Sequence, residues 1–469
     1  MPDAAYQRLT GLDNSFLVYE DESTSMHVAS TQIFDAGPLR GPDGAIDIDR
    51  INDYVVSRLD RIPRYRQRLL RTPIEGHPVW VDDPDFNIRY HVRHTALPRP
   101  GDERQLKRLV GRVFSQQLDR DKPLWELWII EGLQGDRLAI LSKVHHCMVD
   151  GISGAELLSE LLTPEPLEKV EISPMWSPRP SPGALQLGID EVARLLRAPF
   201  ALAHGALRIA RDEDQARHNA SERVRALGRL MADGSNIATP TPFNQPVGPY
   251  RRVDWWAMPI ERIKQVRRRL GGSLNDVVLA TASGALARYL HGSRGIDLDR
   301  LDFRIMAPVS VRAPEQSGTL GNRVSAWIVP LPLAERDPVA RLRQICETTE
   351  KLKESHQALG ADTLTQVTEW TGSTLLSLGA RLMTLGTPFN MVITNVPGPR
   401  VPLYLLESPM LETHPIVPLM GTLGLGIALF SYADTLSWGF TADWDLVPDL
   451  HDVVIAVEQS FDELVAAAG

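Results

Sequence analysis

The chain has 469 residues and a formal net charge of −9, from 50 basic and 59 acidic side chains. With 43% hydrophobic and 23% charged residues it is neither disordered nor collagen-like. The acidic balance argues against a nucleic-acid partner, because no Lys/Arg excess exists to neutralise phosphates. Cys147 and Cys346 are too few for a disulfide framework and fit a reducing, cytoplasmic compartment. The length suggests two or three domains at about 150 residues each. No basic segment leads into an apolar run at the N-terminus, so no signal peptide is expected. No stretch of 18 or more uninterrupted apolar residues occurs, so no spanning helix is expected.

In chain order, Ile48, Ile51, Val55 and Leu59 recur every three or four residues, which predicts a helix over Ile48–Ile62. Asp47 would cap its start and Pro63 would end it. A second helix is predicted over Gln105–Leu118. Strands follow at Leu124–Ile130 and Leu138–Val144, the latter apolar enough for burial on both faces. After the turn His145–Gly151 comes a helix, Ser153–Leu162, stopped by Pro164 and Pro166. Ser173–Pro182, with four prolines in ten residues, is an extended connector. A long helical region, Leu185–Ala232, and a second breaker cluster, Thr239–Gly248, complete a bridge. The rest is read as a strand at Arg252–Met258, a helix at Ile260–Leu270, and a helix capped by Ser273 that runs to Leu290. Strands at Phe303–Val311 and Val324–Leu333 and helices at Pro338–Ala358 and Leu364–Leu385 come next. Three more strands, Met391–Val396, Gly424–Tyr432 and Ser437–Trp444, precede a final helix, Leu450–Ala466. No period of 20 to 50 residues marks a solenoid. The mixture predicts an α/β or α+β protein of two domains, 1–172 and 249–469, joined by the bridge 173–248.

The densest chemistry is His145-His146-Cys147-Met148-Val149-Asp150-Gly151, between a buried strand and a helix. Three readings are open. The histidines are ordinary core or turn residues; or they bind a metal, although the His-x-x-x-His spacing is missing and the only nearby sulfur is Cys147; or one is a general base. An imidazole, with its ordinary pKa of about 6.5, can take a proton from a hydroxyl at neutral pH. Asp150 would fix the loop or orient an imidazole, and Gly151 would allow the turn. No Gly-x-Ser-x-Gly elbow occurs, so a covalent serine has no support.

HHxxxDG in this setting resembles the bacterial wax ester synthase/diacylglycerol acyltransferase family. That family is related to chloramphenicol acetyltransferase and to the condensation domains of peptide synthetases. Further blocks occur in family order: Leu9–Leu17 with Met26-His27-Val28, Pro123-Leu124-Trp125-Glu126, Asn275-Asp276, Pro308–Arg312 with Leu320–Ser325, and Asn395–Pro399. The resemblance implies a two-domain chloramphenicol-acetyltransferase-like fold of mixed α/β class, with the active site at the domain interface. It implies acyl transfer from fatty acyl-CoA, as co-substrate rather than resident cofactor, to diacylglycerol or a long-chain alcohol. His146 matches the catalytic histidine, His145 its neighbour, and Asp150 an aspartate that is mainly structural in related enzymes. Asn275 could aim at the oxyanion or position substrate, or simply lie in the first turn of its helix, where Asp276 suits the dipole. Arg312 could meet a CoA phosphate or form a structural ion pair. Pro123 and Trp125 read as packing residues, and Asn395–Pro399 as a turn shaping the tunnel or the domain interface. No metal is implied. The rival readings are a relative acting on another acceptor and a non-catalytic lipid-binding or lipid-droplet protein.

Arg194–Arg211 carries four arginines and no acid among leucines, a local reversal of the chain's charge. It reads as a basic amphipathic helix lying on an anionic membrane, or as a crossover helix with a solvated arginine face, kinked at Pro199. The expectation is a cytoplasmic protein with peripheral contact to a lipid droplet or the inner face of the plasma membrane.

Overall fold

The computed structural model describes residues 6–148, 160–170, 176–196, 237–310, 324–357 and 388–469. Most of the helix expected over Ser153–Leu162, the helix expected over Leu364–Leu385, and bridge residues 197–236 lie outside the described residues.

Local signals set the helices. Thr10 caps α1 (Gly11–Tyr19), accepting from the Asp13 amide, and Asp47 caps α2 (Ile48–Arg58), accepting from Arg50. α2 stops four residues before the expected end. A residue ahead of proline is pushed out of the helical region, and Ile62 sits at φ −127°, ψ 67° before Pro63. In α3 (Glu103–Ser115) Asp102 and Gln105 form a reciprocal capping box, which starts the helix two residues early. Ser273 and Asp276 form another at α5 (Leu274–Arg288), which follows α4 (Ile260–Leu270). α6 (Pro338–Gln357) and α7 (Leu450–Ala468) complete the labelled set, and residues 184–196 are also helical.

The strands are β1 (Gln7–Arg8), β2 (His27–Asp35), β3 (Gln67–Arg71), β4 (Pro78–Asp82), β5 (Val92–Ala96), β6 (Trp125–Leu133), β7 (Arg137–His145) and β8 (Arg251–Pro259). They continue with β9 (Arg304–Ser310), β10 (Val324–Pro330), β11 (Met391–Val396), β12 (Tyr404–Leu405), β13 (Ser408–Ile416), β14 (Leu425–Tyr432) and β15 (Thr435–Asp443). One six-stranded mixed sheet has the order β12-β13-β2-β7-β6-β5, the other β10-β9-β11-β14-β15-β8, and β1-β4-β3 form a small third sheet. Two strands of the first sheet, β12 and β13, come from the 249–469 segment, so strand pairing crosses the boundaries expected from sequence.

The first sheet is covered on one face by a core that includes Ile51, Tyr54 and Val55 of α2. On its other face Leu106, Val110 and Phe114 of α3 pack together with Val253 and Trp255 of β8. The second sheet shares its core with α4, α5, α6 and α7. The layers meet closely at two glycines. A Cβ on Gly111 of α3 would lie 3.0 Å from the Arg251 carbonyl, and one on Gly439 of β15 would lie 1.7 Å from the Pro415 carbonyl of β13. Arg251 bridges the halves by donating from Nη2 to the Ser23 carbonyl at 2.6 Å, while its amide donates to Ser115 Oγ at 2.9 Å.

Candidate active site

β2 and β7 are antiparallel neighbours, and their pairing sets His27 directly opposite His145. The chain then makes a single 3₁₀ turn, His146–Met148, and the His146 amide donates to the Met26 carbonyl at 2.8 Å. The Leu124 carbonyl accepts the His145 amide at 3.0 Å, and Trp125 is buried with Nε1 donating to the Tyr65 carbonyl at 2.8 Å. The Pro-Leu-Trp segment therefore braces the strand end that carries the histidines.

Helix α1 crosses this turn. Phe16 stacks on the His146 imidazole with ring centroids 3.9 Å apart and planes 25° from parallel. One turn later, immediately after the helix, comes Glu20, whose side chain is 3% exposed. Its Oε2 accepts the Met26 amide at 2.9 Å and lies 3.2 Å from His145 Nε2 and 3.4 Å from His27 Nε2. Its Oε1 takes Arg120 Nε at 3.2 Å and Nη2 at 3.0 Å. His145 Nδ1 accepts the Cys147 amide at 3.2 Å. Among the described residues no group of three His, Cys, Asp or Glu side chains is arranged to hold a metal ion.

Burial dominates the electrostatics. Removal of water around the half-buried His146 ring, reinforced by the neighbouring His145, lowers its pKa to about 4. His146 is thus a neutral imidazole at physiological pH, the form that can take a proton. Burial alone would raise the Glu20 pKa, but His145 first, then His27 and the Met26 amide, more than reverse this and hold it at about 2. Desolvation pushes His27 well below its usual value, and the Lys143 ammonium adds to the effect. Lys143, fully buried on β7, donates to the carbonyls of Val113 (3.1 Å) and Gln116 at the end of α3. Burial lowers its pKa to about 8, against the pull of Glu126 and Glu20. Burial also drives the Cys147 thiol well above its usual value, which leaves an unreactive bystander.

The other expected site residues are placed unequally. Asp150 and Arg312 lie outside the described residues. Asn275 is half-buried in the first turn of α5, a helix packed on α4, α6 and α7. Among the described residues no hydrogen bond joins its side chain to His145 or His146. Its neighbour Asp276 closes the capping box and accepts from Thr349 Oγ1 at 2.8 Å. Within Asn395–Pro399, the Gly398 amide donates to Ser431 Oγ at 3.0 Å and the Pro399 carbonyl accepts from Ala433 at 2.9 Å. This pins the turn to the end of β14, whose Phe430 and Tyr432 reach the core of the first sheet.

Sequence reasoning assigned no role to Glu20, Arg120 or Lys143, and quoted Phe16 and His27 only as parts of a block. No local signal marked them: Glu20 is the extended residue that ends α1, and it reaches the histidines only through the fold.

Family models for the wax ester synthase/diacylglycerol acyltransferase catalytic domain and for the corresponding C-terminal domain match residues 9–278 and 320–465. A Mycobacterium tuberculosis protein named as a diacylglycerol O-acyltransferase is 33% identical over 483 residues, covering 98% of this chain and 91% of its own. A Mycobacterium bovis protein with the same designation is 33% identical over 470 residues, covering 98% and 96%. Among solved structures, the wax ester synthase/diacylglycerol acyltransferase from Marinobacter aquaeolei VT8 superposes with a TM-score of 0.70 at 27% identity, over 99% of this chain and 100% of that one. The first condensation domain of the calcium-dependent antibiotic synthetase superposes at 0.59 with 17% identity, over 99% and 96%, a likeness of fold. The expected chloramphenicol-acetyltransferase-like architecture of two mixed α/β halves is therefore the observed one. Matched in both halves, and sharing a third of its residues with these relatives over almost their whole length, the chain is an acyltransferase and belongs to the wax ester synthase/diacylglycerol acyltransferase family.

Proposed function

We propose that the protein moves a fatty acyl group from acyl-CoA to the hydroxyl of a diacylglycerol or a long-chain alcohol by direct attack, with His146 as general base. The observation that carries this reading is the neutral imidazole of His146, held against Phe16 on a turn braced by two strands. The acceptor hydroxyl gives its proton to the imidazole as its oxygen bonds to the thioester carbonyl carbon. The tetrahedral intermediate then collapses, the C–S bond breaks, and the imidazolium returns the proton to the departing CoA thiolate. An imidazole of lowered basicity forms a more acidic imidazolium, which favours that second transfer. His145 would orient the turn. The roles offered for Asp150 (fixing the loop), Asn275 (oxyanion or substrate positioning) and Arg312 (a CoA phosphate) rest on the family resemblance. Residues 1–172 and 249–469 would form the two halves, with 173–248 between them.

The test is acyl transfer from palmitoyl-CoA by purified His146→Ala protein, with hexadecanol and diacylglycerol offered in parallel. General-base catalysis contributes about 10²–10⁴-fold, so activity within about tenfold of wild type removes His146 from that role. If neither acceptor is acylated by wild type but a short alcohol or amine is, the lipid assignment falls.

A second observation supports lipid contact at the cytoplasmic membrane face. On the 184–196 helix Leu185, Ile189, Val192 and Leu196 are all exposed, at the spacing of one helical face. An apolar face leading into the arginines of 194–211 suits an anionic lipid surface. Flotation with phosphatidylglycerol vesicles, but not with phosphatidylcholine vesicles, is the expected result. Equal absence from both removes the proposal. Among the described residues no helix is long and apolar enough to cross a membrane.

A further inference from the structure

We infer that Glu20 is the positioning residue of the His145–His146 pair, holding the imidazole of one and, through Met26, the backbone of the other. The inference rests on the reading of His146 as the general base.

His145 Nδ1 accepts the Cys147 amide, so a neutral His145 ring carries its proton on Nε2, the atom 3.2 Å from Glu20. The same carboxylate oxygen accepts the Met26 amide, and the Met26 carbonyl accepts the His146 amide at 2.8 Å. One carboxylate thus stands in ion-pair contact with the His145 ring and, through Met26, holds the backbone of the next residue. The element that delivers it, α1, also delivers Phe16 to the His146 ring. The ionisable groups around it are His27 from β2, His145 and Lys143 from β7, and Arg120 from the segment before β6. Arg120 alone would account for a buried ion pair on the far oxygen, Oε1. It does not require Oε2 to meet both histidines and the Met26 amide. The loop that carries these groups is tied to the second half through Arg251 and the Ser23 carbonyl, so the whole protein is the object to test.

Glu20→Ala and Glu20→Gln are made in wild type and in His146→Ala, and kcat and KM are measured with palmitoyl-CoA and hexadecanol, alongside thermal unfolding. Misplacing a reacting group by about 1 Å can cost about 10²-fold. Glu20→Ala should therefore lower kcat by about 30-fold or more with KM for palmitoyl-CoA within about threefold. Glu20→Gln, whose amide oxygen can occupy the Oε2 position, should recover about tenfold of that loss. In the His146→Ala background Glu20→Ala should cost less than about threefold, because residues that act through one group are non-additive. The inference is overturned by a kcat for Glu20→Ala within about threefold of wild type. It is equally overturned by the same loss in both backgrounds, or by Gln recovering nothing at equal folded fraction. Those results leave the His146→Ala loss intact. Retained activity in His146→Ala itself overturns the general-base reading, and this inference with it.

Discussion

Replacing Phe16 with alanine tests whether desolvation tunes the base. Phe16 covers one face of the His146 imidazole at a centroid distance of 3.9 Å, and burial is the main cause of the lowered pKa of about 4. Truncation opens that face to water, so the pKa should climb toward the ordinary value of about 6.5. At pH 5 a pKa of about 4 leaves roughly 90% of the imidazole neutral, whereas about 6.5 leaves roughly 3%, a difference of about 30-fold in available base. The assay is kcat/KM for palmitoyl-CoA with hexadecanol from pH 4.5 to 8. Wild type should hold its rate down to about pH 5, and Phe16→Ala should fall away below about pH 6.5 while matching wild type more closely at pH 8. Stability moves in the same sense. An imidazole with a lowered folded-state pKa binds its proton more readily when unfolded, so wild type loses stability as pH falls from about 6.5 to about 4. Phe16→Ala should lose less over that window, though it starts lower because ring packing is gone. A wild-type acidic limb near pH 6.5 refutes the burial argument. A limb unmoved by Phe16→Ala refutes the part assigned to Phe16.

Other consequences are simpler. Lys143→Met removes the donor to the buried carbonyls of Val113 and Gln116 and should lower stability by about 1–3 kcal/mol in urea unfolding, since removing the buried charge offsets part of the loss; an unchanged midpoint would contradict it. Gly439→Ala puts a Cβ 1.7 Å from the Pro415 carbonyl, where two sheets meet; a loss of about 3 kcal/mol is expected, and a variant as stable as wild type would show that the contact can relax. Burial raises both thiols, Cys346 to about 11, so at pH 8 the native protein should react with Ellman's reagent far more slowly than the unfolded chain with its two cysteines. A rapid stoichiometric burst from native protein would show an exposed thiolate.

What was legible in the sequence was local. Asp47 and Ser273 act within one helical turn, and both cap where their spacing predicted. Apolar strands flanked by breakers, such as β7, β14 and β15, declared themselves for the same reason. β13 did not. Its sequence, Ser408–Ile416, contains Pro409 and Pro415 and charged Glu412, which argues against a strand with partners on both sides. It nevertheless pairs with β12 and with β2, nearly four hundred residues away in the chain, through an irregular register between Met410 and Glu412. Such a strand exists because of its partners, and nothing in its own composition reports them. The same reasoning explains the expected division at 249: a boundary drawn from composition cannot register that the far segment completes the near sheet.

The site divides along the same line. His145 and His146 are adjacent, so a motif finds them. Glu20, His27 and Arg120 converge on them only after β2 pairs with β7 and α1 closes over the turn. Because Oε2 of Glu20 also binds the Met26 amide, the groups that surround the histidines are tied to the ends of two central strands of the first sheet. The state of the base is then coupled to strand pairing, and a change at residue 20, over a hundred positions before the motif, should be felt at His146. Arg251 extends that coupling across the halves, since the Ser23 carbonyl it holds lies between Glu20 and Met26. Fixing the loop from the opposite half means that closure of the two halves and presentation of His146 are one packing problem. That coupling explains why the residues expected from local pattern include His146 but not Glu20, which reaches the histidines only through the fold.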